Sequence, residues 1–158
     1  MSDVPAKPHG VPLPPVIYAA ALAIAAIINL VAPLPWFASP VSDILVAVGW
    51  LILLAAAMLI VTAVRTMRRA RNTLHPNGSP DHLLTAGPFG VSRNPMYLAQ
   101  TLLLIGIGLV TGIVWFLPLA VIAAFVTQKV VIEREEKLLA TKFGKRYRDY
   151  AKRVRRWI

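Results

Sequence analysis

MYLAQTLLLIGIGLVTGIVWFLPLAVIAAFVTQKVVI (residues 96–132) decides the fold. It carries no charge until Lys129. As one helix it would be about 55 Å long, against a hydrocarbon core of about 30 Å. It is therefore too long for a single crossing. Gly112 and Pro118 bracket a break with Trp115 and Phe116 between them, so the run reads as a tight helical hairpin. Two more apolar stretches precede it, from about Val16 to Ala32 and from Ile44 to Val64. The expected fold is all-α, an integral membrane helical bundle of about four transmembrane helices.

Composition agrees with that reading. The chain has 158 residues, of which 57% are hydrophobic and only 15% charged. Soluble domains are nearer a quarter charged. Length points to a single domain, placed at residues 15–158 behind a disordered tail at 1–14. The net charge is +10, from 17 Lys and Arg against 7 acids. Basic character in so apolar a chain suits a lipid bilayer, and no nucleic-acid partner is expected. The absence of cysteine excludes disulfides, a thiol nucleophile and thiolate metal sites. Nothing in the sequence specifies an oligomeric state.

The first apolar stretch is not read as a cleaved signal. The fifteen residues before it hold five prolines and a single lysine, and Pro33-Leu34-Pro35-Trp36 follows as an interfacial loop. With four spans, both termini and the 65–95 loop share one side. That side then holds every Lys and Arg, while the opposite loops hold only Asp43. The positive-inside rule makes the charged side cytoplasmic, in a bacterial inner membrane. Trp36, Phe37, Trp115 and Phe116 would form the outer aromatic belt.

Two polar blocks lie on the charged side. Residues 65–95 contain four prolines and three glycines, which disfavour a helix beyond about Leu74. Residues 133–157 read as one amphipathic helix with Leu139, Phe143, Tyr147, Tyr150 and Val154 on a stripe. Such a helix can lie on anionic lipid. The arginines at 65, 68, 69 and 71 read as a headgroup anchor. Gly106, Gly108 and Gly112 read as close-packing positions within the hairpin. His75 and His82 are read as hydrogen-bonding or solvated, so no metal site is expected.

The remaining polar residues converge if the hairpin forms. Arg93, Tyr97 and Gln100 stand at its entrance, and Glu135 and Glu136 stand at its exit. Tyr97 and Gln100 share a helix face. Polar groups gathered at a membrane face are a functional-site hypothesis by default. A plain salt bridge, such as Arg93 with Glu135, is the alternative.

"LLTAGPFGVSRNPMYLAQ" followed some forty residues later by "EREEKLLATKFGKRYRDYAKRVRRWI" resembles the isoprenylcysteine carboxyl methyltransferase family, grouped with the phospholipid methyltransferases. The matching positions are Gly87, Pro88, Phe89, Arg93, Pro95, Tyr97, Glu135, Glu136, Leu139, Phe143, Gly144, Tyr147 and Tyr150, covering about residues 72–157. Asn94 stands where the family pattern has histidine, which removes imidazole chemistry there but leaves hydrogen bonding. The resemblance implies a membrane methyltransferase using S-adenosyl-L-methionine on a hydrophobic or lipid-like substrate. It implies Glu136 and Arg93 as catalytic, with Gly87, Pro88, Phe89, Asn94, Tyr97, Gln100 and Glu135 holding the cofactor. A stripe through Glu136, Ala140, Phe143 and Tyr147 would face the cofactor, with Glu135 in support. Two other readings stay open: a sterol-reductase-like membrane oxidoreductase, and a non-enzymatic membrane anchor.

Overall fold

The computed structural model describes residues 14–70 and 82–158, and among these the regular structure is entirely helical. Arg71, His75 and most of the proposed tail lie outside the described residues. Helices α1 (Pro14–Val31) and α2 (Val41–Arg69) are joined by an irregular stretch over 32–40. A short 3-10 turn, Gly87–Gly90, leads to α3 (Pro95–Thr111), and α4 (Phe116–Thr127) returns antiparallel to it. A π-helical turn, Gln128–Ile132, continues α4 into α5 (Glu133–Phe143), and α6 (Lys145–Arg153) follows. α1, α2 and the helix running from Phe116 are long and apolar enough to cross a membrane. α3, at 17 residues, is at the short end of the spanning range, so about four crossings stand.

The hairpin forms for local reasons. Pro95 opens α3, where its fixed φ and missing N–H cost nothing. Gly112 closes it in the left-handed region at φ 71°. That conformation favours glycine, and a Cβ there would crowd the Trp36 ring at 3.2 Å. Trp115 Nε1 donates to the Ala32 carbonyl at 2.8 Å, tying the hairpin tip to the end of α1.

The hairpin is also the centre of the bundle. α2 packs along α3 and α1 packs along α4, so the first two helices flank it. Small residues set the α2–α3 spacing. Gly49, Ala56 and Ala63 are the buried positions of α2, and a Cβ on Gly106 would meet Leu53 at 2.7 Å. Close approach of this kind drives helix association in lipid, where the hydrophobic effect between helices is absent. On the far face of α2, Trp50, Leu51, Leu54 and Met58 are exposed and would contact lipid. α1 contributes Tyr18, Ala21 and Ala25 to a core with Leu104, Phe116, Ala120 and Ala123.

Three expectations change. Phe116 is 4% exposed and belongs to the core rather than the aromatic belt, because the αL turn at Gly112 rotates it inward beside Gly108. The C-terminal block is not one helix. Gly144 adopts φ 54°, ψ −123°, which no helix accommodates, so α5 and α6 are separate and Val154 is extended. Pro14, the last residue of the expected tail, opens α1, and residues 1–13 lie outside the described residues.

Candidate active site

Antiparallel packing of the hairpin brings residue 97 opposite residue 135. Tyr97, 9% exposed, donates its hydroxyl to Glu135 Oε1 at 2.7 Å. Tyr18 of α1 braces the same turn, its hydroxyl donating to the Tyr97 carbonyl at 3.3 Å and lying 2.7 Å from Thr101 Oγ1. Val131 and Ile132 pack around Tyr97. Glu133 begins α5, so Glu135 lies on the helix that runs from Phe116 to Phe143.

Glu136 turns toward cations instead. Arg156 grips it with two parallel bonds, Nε to Oε1 at 2.9 Å and Nη2 to Oε2 at 2.7 Å. Arg93 Nη1 stands 3.3 Å from Oε1 and donates to the Tyr147 hydroxyl at 3.1 Å. The side chains of Arg93 and Glu136 are only 15% and 18% exposed. A bidentate guanidinium–carboxylate pair is both stronger and more directional than a single contact. The hydrogen bond to Glu136 also raises the Arg156 pKa. Burial raises the Tyr147 hydroxyl, and pushes that of Tyr150 up to about 12, so both act as neutral hydrogen-bonding groups.

The segment after α6 is a strap across this cluster. The Arg93 amide donates to the Arg155 carbonyl at 3.0 Å. Asn94 Nδ2 donates to the Arg156 carbonyl at 2.9 Å, and Ser92 Oγ reaches the same oxygen at 3.4 Å. Trp157 Nε1 donates to Gln128 Oε1 at 2.8 Å, fastening the strap to the π-helical turn. An amide at position 94 suits this task, since it donates to a carbonyl without carrying charge.

The expected residues therefore separate into groups. Arg93, Asn94, Tyr97, Glu135 and Glu136 come together. Arg93 pairs with Glu136, the carboxylate expected on the site-facing stripe, and Glu135 faces the Tyr97 hydroxyl. Gly87, Pro88 and Phe89 lie beside the cluster, where the Tyr150 hydroxyl donates to the Phe89 carbonyl at 2.6 Å. Gly87 needs its glycine, at φ 60° with Thr66 Oγ1 3.2 Å from where a Cβ would sit. Gln100 lies one turn along α3 with a buried Oε1. Among the described residues, Gln100 Oε1, Arg93 Nε and, deeper in the bundle, Thr127 Oγ1 are buried side-chain atoms without a hydrogen-bond partner. Buried polar atoms are rarely left so, and each one calls for an explanation.

The model of the phospholipid methyltransferase family matches residues 44–146. The chain belongs to that family. None of the curated proteins matches it. The phospholipid methyltransferase match spans α2, the Gly-Pro-Phe turn, the hairpin, both carboxylates and the break at Gly144. It makes the protein a membrane methyltransferase. α1, Tyr147, Tyr150 and the whole strap lie outside the matched residues. Nothing in the sequence points to Arg156, Trp157 or Ser92, because a strap held by carbonyls has no periodicity. Tyr147 and Tyr150 are visible there as stripe positions and as matches to the family pattern.

Proposed function

We propose that this phospholipid methyltransferase family member uses S-adenosylmethionine to methylate a carboxylate or amine on a lipid-soluble or lipid-attached acceptor, in the manner of isoprenylcysteine carboxyl methyltransferases. The observation that carries the reading is a pair of buried atoms without partners, Arg93 Nε at the Glu136 cluster and Gln100 Oε1 one helical turn beyond Tyr97, the residue that binds Glu135. One is a cationic donor and the other an acceptor. The amino-acid end of the cofactor offers the complements, a carboxylate for Arg93 and an ammonium for Gln100 or Glu135. Phe89 supplies an apolar wall at the Gly-Pro-Phe turn.

When bound, the cofactor supplies an electrophilic methyl group on a sulfonium. The protein's part is alignment and exclusion of water, which carry much of the catalysis in an in-line displacement. Arg93 orients the anionic end. Tyr97 fixes Glu135 by hydrogen bonding to Oε1, leaving Oε2 to take a proton from an ammonium acceptor. A carboxylate acceptor needs no base, and Glu135 then serves the cofactor's ammonium alone. The apolar hairpin delivers a hydrophobic acceptor from the bilayer side.

Incubating membranes containing the protein with radiolabelled S-adenosylmethionine, then separating lipid from protein label, tests the reading. Label above that of membranes lacking the protein is expected in one fraction. Equal label in both preparations sinks it.

The orientation belongs to the same proposal. The antiparallel bundle puts the start of α1, the end of α2, the start of α3 and all of α5 and α6 at one end. With the basic residues there, the positive-inside rule makes that end cytoplasmic. Single cysteines replacing Ser39 and Lys152 should react with an impermeant reagent from opposite faces of sealed vesicles. Reaction from the same face would require another topology.

A further inference from the structure

Glu136 has two guanidinium partners where charge balance needs one. Arg156 takes both of its oxygens at 2.7 and 2.9 Å, while Arg93 touches one at 3.3 Å. Arg93 has further capacity, because its Nε is buried without a partner. If Arg156 were absent, Arg93 would be the only guanidinium left on Glu136, and the pair would close on itself. With Arg156 present, the trio of Arg93, Arg156 and Glu136 keeps one positive charge in excess, at an arginine that the strap shields but does not neutralise. The strap is anchored for this purpose at both ends, by Asn94 and the Arg93 amide on one side and by Gln128 on the other.

We infer that Arg156 is a positioning residue that holds Glu136 so that Arg93 is released to receive an oxyanion of the ligand. The inference rests on the cofactor reading above and commits to the cofactor's carboxylate as that oxyanion. Arg156 lies outside the residues matched by the family, so the role comes from the geometry alone. It differs from an ordinary stabilising salt bridge in one respect. Its effect on ligand affinity must depend on the charge of Glu136, because a neutral residue at 136 holds Arg93 far more weakly.

A double-mutant cycle measures that dependence. Full-length wild type, Arg156→Gln, Glu136→Gln and the double variant are placed in nanodiscs. Binding of S-adenosylhomocysteine is measured beside 5′-methylthioadenosine, which lacks the amino-acid end. Arg156→Gln should weaken S-adenosylhomocysteine about tenfold, equivalent to about 1.4 kcal/mol. In the Glu136→Gln background the same change should have little effect, within about twofold. Methylthioadenosine should bind all four proteins alike. Arg156→Lys, which keeps the charge without the fork, should recover part of the loss.

Equal losses in both backgrounds, or an equal loss with methylthioadenosine, overturn the inference and leave Arg156 as structural support. A wild type that binds neither ligand overturns the cofactor reading and the inference with it. Should Arg156→Gln prove too unstable to purify, Arg156→Lys against Glu136→Gln/Arg156→Lys supplies the same cycle. Absence of coupling there has the same meaning.

Discussion

Glu135→Gln should lower methyl transfer at least about 100-fold while leaving the melting temperature within a few degrees. General acid–base groups contribute on the order of 10²–10⁴ in rate, and a carboxylate that instead pairs with a bound ammonium loses a charge-assisted contact. The fold should tolerate the change, because glutamine still accepts the Tyr97 hydroxyl bond now made at 2.7 Å. A variant that turns over normally would remove Glu135 from the chemistry.

Glu136→Ala has the largest expected effect on stability, a loss of about 3 kcal/mol read as a lowered melting temperature in detergent. Removing one partner from a buried pair leaves uncompensated charge and costs about 3–5 kcal/mol. Arg156 is 32% exposed and the cluster sits at the membrane edge, which places the value at the low end. The loss should also loosen the strap and expose the chain beyond Arg153 to protease. Glu136→Gln, which can still accept hydrogen bonds, should melt between the wild type and the alanine variant. An alanine variant that melts normally yet fails to turn over would return Glu136 to direct contact with the cofactor.

Much of this arrangement is legible in the amino-acid sequence. The apolar run at 96–132 is too long for one crossing and carries its own breakers at Gly112 and Pro118, so length alone implies a hairpin. A hairpin in turn implies that residues near 95 and 135 meet. Which carboxylate meets which partner is not legible. That choice depends on the rotation of α5 about its axis, and the two acids differ there by only about 100°. The strap is invisible for another reason. At one end its anchors are the carbonyl groups of Arg155 and Arg156, and every residue type has a carbonyl. The expected continuous C-terminal helix fails because the apolar stripe survives across Gly144. Tyr147 and Tyr150 are buried in α6 as they would be in a longer helix, so periodicity cannot report the break.

The π-helical turn at Gln128–Ile132 gives this cluster a phase. A π turn holds one residue more than the α turn it replaces. The spiral that sets the lipid-facing pattern of α4 is therefore offset from the one that aims α5. Membrane fit and site geometry are geared separately, with a single amino acid as the adjustment between them. Losing that amino acid would leave the span almost unchanged in length and apolarity. It would also swing the following carboxylates by about 100°, away from both the tyrosine and the arginines. Insertions and deletions in this chain should thus be judged by the angle they impart, not by the length they change.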